Sequence, residues 1–214
     1  MSELKVNKIS PATGTAFALG DSGDTFTVPS GANIVNSGTA TGFGGGLVLQ
    51  VVTNHVTDVS STLRPVRTAT NITGLNTTIT PASTGSKILI QIQWCGEDSL
   101  TTTQDLMFGI KRGATMIGNG VDANGNGIAM TVGSGGYATE AGSSMDFAFY
   151  QYIDSPNTTS ATTYHAYVYH SVTAGTLHTN RTTVDGGGNY AYERAASSIT
   201  LTELSAATVL VNGV

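Results

Sequence analysis

Few windows of this chain could hold a helix. Glycine fills 27 of 214 positions, and asparagine and threonine are scattered densely between the glycines. Gly and Asn interrupt helices, whereas Thr, branched at Cβ, sits easily on a pleated backbone. The sequence therefore predicts an all-β protein. Apolar alternation places strands at 47–53, 71–80, 87–94, 106–111, 115–117, 145–154, 163–172, 175–180 and 198–204. Strands of this number and length suit an antiparallel β-sandwich or jelly roll.

The surface of such a sandwich would be unusually poor in charge. Charged residues make up 11% of the chain, against roughly 25% in an average globular protein. Hydrophobic residues still reach 39%, enough to fold rather than stay disordered. Hydroxyls and amides stand where Lys and Glu would normally keep subunits apart, so the composition predicts a surface partly covered by copies of the same chain. A net charge of −5 with no basic cluster argues against nucleic acid. Cys95 is the single cysteine, so no intrachain disulfide forms. The opening Met1-Ser2-Glu3-Leu4-Lys5 lacks the apolar core of an export signal, and no apolar run is long enough for membrane insertion. These features predict synthesis and assembly in a reducing cytoplasm.

Two regions differ in texture. Residues 1–46 are short of large aliphatics and end in Gly42-Phe43-Gly44-Gly45-Gly46, which reads as a hinge. Within them, 25–28 alternates for one short strand carrying Phe26 and Val28, and Pro29-Ser30-Gly31 marks a turn. So little apolar material cannot build a core alone. The segment reads as an arm and short stalk, with Phe26 and Val28 at subunit contacts, and residues 47–214 as the sandwich domain.

Strands 145–154 and 163–172 read as a hairpin joined through Ser155-Pro156-Asn157. Alternation then places Phe147, Phe149 and Ile153 on one face and Tyr150 and Tyr152 on the other, with Ala166, Val168 and Val172 opposed to Tyr167 and Tyr169. Four clustered tyrosines combine apolar area with hydroxyls that need partners, a chemistry favoured at interfaces. Tyr150, Tyr152, Tyr167 and Tyr169 are thus expected at the subunit interface; the alternative is burial within one sandwich.

Constellations for chemistry are sparse, and no catalytic residue, metal or cofactor is expected. Asp122-Ala123-Asn124-Gly125-Asn126-Gly127 matches the first half of a calcium loop, with Asp122, Asn124 and Asn126 as oxygen donors, but Gly133 occupies the position of the closing carboxylate. His165 and His170 fall on opposite faces of one strand and cannot share an ion. Cys95 has no cation nearby in sequence to make it a nucleophile. Glu97 and Asp98 are adjacent and point apart on a strand, while Asp105 with Asp146, or Asp185 with Glu193, leave a glycosidase-type pair open. Asn71, Asn76, Asn157 and Asn180 head N-x-Ser/Thr triplets that a chain of this composition generates freely.

Two stretches resemble short fibre-type structural proteins of tailed phages, particularly marine ones. The first is Leu4-Lys5-Val6-Asn7-Lys8-Ile9-Ser10-Pro11 with Thr25-Phe26-Thr27-Val28-Pro29-Ser30-Gly31-Ala32 and Asn36-Ser37-Gly38-Thr39-Ala40-Thr41-Gly42. The second is Asp154-Ser155-Pro156 through Thr158-Thr159-Ser160-Ala161-Thr162-Thr163-Tyr164, with Ala195-Ala196-Ser197-Ser198-Ile199-Thr200-Leu201-Thr202-Glu203-Leu204. Together they lie within spans 4–42 and 154–204, somewhat less than half the chain. The resemblance implies a homotrimer with an N-terminal segment docked on other virion proteins, through Leu4, Val6, Ile9, Phe17 and Leu19, and a C-terminal sandwich similar to tumour-necrosis-factor-type jelly rolls. The function it implies is a non-enzymatic virion subunit: head fibre, capsid decoration or tail appendage. A host-surface glycan is a further partner, met by Asn, Asp and Tyr in loops 118–136 and 185–190. The rival is a tail-spike enzyme cleaving host polysaccharide.

Overall fold

A computed structural model of the chain describes residues 13–14, 21–32, 48–100, 106–120, 130–133, 144–185 and 193–205. The chain divides into two units between Phe43 and Gly44. In the first unit, the Asp24 N–H returns to the Asp21 carbonyl at 3.0 Å and the Ala32 N–H to the Pro29 carbonyl at 3.1 Å. Gly31, at φ +85°, takes the corner of the second turn that only glycine enters without strain. The strand expected over 25–28 does not form. Among the described residues it has no neighbour to take up its backbone groups, and a lone strand has nothing to hold it extended.

The second unit is all-β, with eleven strands among the described residues: β1 (Val48–Val56), β2 (Ser60–Arg64), β3 (Thr70–Ile79), β4 (Lys87–Asp98), β5 (Leu106–Arg112), β6 (Thr115–Ile117), β7 (Val132–Gly133), β8 (Asp146–Asp154), β9 (Thr162–His170), β10 (Gly175–Thr179) and β11 (Ser197–Leu204). Every pairing is antiparallel. The first sheet is built on β4, which carries β8 along one edge and β11, then β10, along the other; β1 extends β11 and β2 extends β10. The second sheet runs β3-β9-β5-β6, with β7 also on β5.

The core lies between the sheets. Ile88, Ile90, Ile92 and Trp94 descend one face of β4, and Tyr164, Ala166 and Val168 of β9 with Phe108 and Ile110 of β5 meet them from the other sheet. Each fully buried aliphatic side chain contributes about 1.5–3 kcal/mol. Trp94 stacks on Phe108 with centroids 4.7 Å apart and donates its indole N–H to Thr179 Oγ1 at 3.1 Å. Gly96, next but one, lets β10 close on β4: a Cβ there would run into the His178 carbonyl oxygen.

Three carboxylates buried at the ends of this core have hydrogen-bond partners. Arg64, wholly buried, holds Asp98 through two bonds of 2.5 and 2.6 Å and the Thr173 carbonyl through a third of 2.6 Å. At the other end Asp154 accepts from Arg112 and from the Tyr164 hydroxyl at 2.7 Å. Nearby, Glu203 accepts from the Gln50 amide at 2.5 Å and the Ala82 N–H at 2.7 Å. Burial acts to raise the Glu203 pKa, but the hydrogen bonds it receives outweigh burial and hold it below the ordinary carboxylate value.

Two differences from the sequence-based expectation have physical causes. β8 and β9 are not a hairpin: β8 pairs with β4 and β9 with β3 and β5, so the link between Asp154 and Thr162 carries the chain from one sheet to the other. Strand β2 is invisible to a hydrophobicity pattern because its inward positions are Thr62 and Arg64 while Leu63 faces out.

Removing Arg64 leaves the Asp98 carboxylate buried without its cation, so Arg64→Met is expected to cost about 3–5 kcal/mol, measured by urea unfolding. Arg64→Met combined with Asp98→Leu should recover much of that loss. For Glu203, a folded pKa below the unfolded value of about 4.3 means its contribution is present above that pH and disappears as pH falls through the folded value. Glu203→Gln should therefore lower stability at neutral pH and reduce the further loss that wild type shows as pH falls below about 4.3, read from urea midpoints.

Candidate interaction surface

The four tyrosines expected on one face are divided between two sheets. Tyr150 points into the core, its ring centroid 6.4 Å from that of Phe108 and its hydroxyl 3.4 Å from the Gly109 carbonyl oxygen. Burial, then the neighbouring Tyr167, pushes its pKa well up. Tyr152 lies on the same face at the core margin, against Gly118. Tyr167 and Tyr169 sit on the outward side of the second sheet. There the Tyr167 ring covers Gly109, takes the Lys111 ammonium 5.5 Å from its centroid, and donates its hydroxyl to Asn119 Oδ1 at 3.0 Å. A single tyrosine face does not exist, because β8 and β9 belong to different sheets. In the first unit Phe26 is exposed and Val28 half-buried. Leu4, Val6, Ile9, Phe17 and Leu19, and the calcium-loop residues Asp122, Asn124 and Asn126, lie outside the described residues.

What the fold exposes instead is the outer face of the first sheet. Register aligns its side chains in rows across four strands: Phe149, Gln93, Ser198 and His55; Gln151, Gln91, Thr200 and Thr53; Ile153, Leu89, Thr202 and Val51. The Thr53 and Thr200 hydroxyls bond at 2.8 Å, and the Gln91 amide reaches Gln151 Oε1 at 3.4 Å. No residue in these rows carries a carboxylate, ammonium or guanidinium. Phe147 and Phe149, on the outermost strand, are 61% and 56% exposed. Half-exposed Cys95 pairs in register with Phe147, and a depression of about 270 Å³ lies among Leu89, Gln151, Tyr152 and Ile153. Alternation along β8 groups Phe147, Phe149 and Ile153 on one face; Gln151, which shares that face, is the signal that it looks to solvent.

The carboxylates considered for catalysis have structural partners. Asp98 is bound to Arg64, Glu97 accepts the Thr183 N–H on the opposite side of β4, and Asp185 accepts from Arg181 and Arg194. Glu193 accepts the Met145 N–H at 2.6 Å. Asp146 is buried at the first position of β8, and Asp105 lies outside the described residues. His165 and His170 stand on opposite sides of β9; His170 Nδ1 accepts the Val172 and Thr173 N–H groups and shapes the turn. His178 Nδ1 meets Ser61 Oγ at 3.0 Å and Arg181 at 2.7 Å, and burial followed by the Arg181 charge lowers its pKa. Among the described residues no cluster of His, Cys, Asp and Glu has the arrangement of a metal site, and no helix is long and apolar enough to cross a membrane.

No family model matches the chain, and no curated protein is significantly similar to it.

The two sides of β8 predict opposite consequences for substitution. Tyr150→Lys puts an ammonium against Phe108 in the core and is expected to abolish cooperative thermal unfolding. Phe149→Glu, on the exposed side, should keep a cooperative thermal transition.

Proposed function

We propose that the chain is a non-enzymatic structural subunit of a tailed-bacteriophage particle. In this reading it is a homotrimeric short fibre or spike whose N-terminal arm docks on the virion and whose jelly-roll-like domain faces outward, within reach of host-surface glycan. The observation that carries it is the uncharged outer face of the first sheet. An apolar and amide surface of this extent, with phenylalanines at its margin, is costly to leave in water and resembles the centre of a protein contact. The scarcity of charge across the whole chain fits a molecule that meets copies of itself. The resemblance of the Leu4–Pro11 and Ala195–Leu204 stretches to fibre-type subunits supplies the virion context.

The native mass of the purified full-length chain is expected to be three times that of one 21.9 kDa chain. Antibodies against it should label intact particles at a fixed position in electron micrographs. A single-chain mass at all accessible concentrations would overturn the homo-oligomer, and unlabelled particles from a host producing the chain would overturn the virion assignment.

A further inference from the structure

Resting on that homo-oligomeric reading, we infer that copies of this chain join head to tail, an apolar patch on β8 of one copy seating on a different patch at the end of β2 of the next. The two strands lie at opposite margins of the first sheet, along the path β8-β4-β10-β2. β8 is nine residues long, and from Phe147 to Ile153 it carries no charge and no proline. Natural edge strands of that length are normally blunted by such residues, because a bare apolar edge invites pairing. Phe147 and Phe149 stand out from it. At the far margin Leu63 is 74% exposed and Val172 67% exposed, with Val66 beside them. The segments after β2 and β9 cross there, closed by the Arg67 N–H on the His170 carbonyl at 2.8 Å.

The rims of the two patches carry opposite charge. Exposed Glu193 is fixed at the entry to β8 by its bond to the Met145 N–H. Exposed Arg67 is fixed beside Val66 and Val172 by its Nε–H bond to the Ser171 carbonyl at 3.1 Å. A second copy that lays its Leu63 patch on the phenylalanines brings Arg67 toward Glu193. In a chain of net charge −5, a contact that brings Arg67 to Glu193 is favoured over one that brings carboxylates together. Nine residues of β8 span about 30 Å and the five of β2 about half that, so the smaller patch around Leu63, Val66 and Val172 seats within the longer margin. Because the two patches differ, the contact is heterologous, and it repeats until a ring closes.

A mixing experiment with the full chain tests this directly. Phe149→Glu damages one patch and Leu63→Glu the other. Both side chains are more than half exposed, so the fold should persist, and the near-ultraviolet signal of buried Trp94 checks that it does. Each variant alone is expected to sediment as a monomer. An equal mixture, well above the concentration at which wild type assembles, should give a dimer of one copy each, since one undamaged patch of each kind remains. Leu63→Glu assembling like wild type would overturn head-to-tail joining while leaving a homo-oligomer standing, and so would a mixture that stays monomeric. A monomeric wild type would remove both.

Discussion

Strand β4 is the constraint on which the rest of the domain depends. It is paired on both edges over most of its length and, among the described residues, is the one strand that touches β8, β10 and β11 together. Its inward ladder of three isoleucines and Trp94 provides the apolar surface against which the second sheet packs. Its last residues, Glu97 and Asp98, carry charge into the buried end, where Arg64 and the Thr183 N–H take it up. Cutting this strand short would remove the sheet centre and the polar end together.

Much of this was legible in the chain, and what was not has identifiable causes. Strands such as β4 and β11 alternate cleanly because one side is core and the other solvent, so their positions could be read directly. β2 could not, since its core side is an arginine and a threonine, and the partner that makes Arg64 tolerable is 34 residues away. The β8 and β9 pair misled for a related reason. Pro156 and Asn157 are turn residues whether the chain folds back in one sheet or crosses to another, and only the choice of partner strand distinguishes the two. That choice put Tyr150 inside and Phe149 outside, reversing the side of β8 expected to meet other molecules. The uncharged outer face was foreshadowed by composition, but its row-by-row arrangement depends on register between β1, β4, β8 and β11, which lie far apart in sequence.

Charge is distributed in a way that links fold and proposed role. The few ionised groups near the first sheet are concentrated at its ends and margins, where Arg64, Arg112, Arg181 and Arg194 each hold a carboxylate. Fixing these groups in structural pairs leaves the broad middle of the sheet to amides, hydroxyls and aromatic rings. Such a surface offers no charge repulsion to an identical surface or a complementary margin. In the proposed assembly, stability and association would thus rest on different parts of the domain, so a residue at the exposed margin could change assembly while the interior stays intact.

Gly96 breaks that separation. The whole β10–β2 flap, with Leu63 at its rim, is attached to the sheet centre across a gap that admits a hydrogen atom and nothing larger. A mutation adding a single methyl group at this hidden point would pry the flap loose and take one of the two margins with it. In the proposed assembly its outward symptom would be failed association, though the altered atom lies inside the domain, out of reach of the next copy.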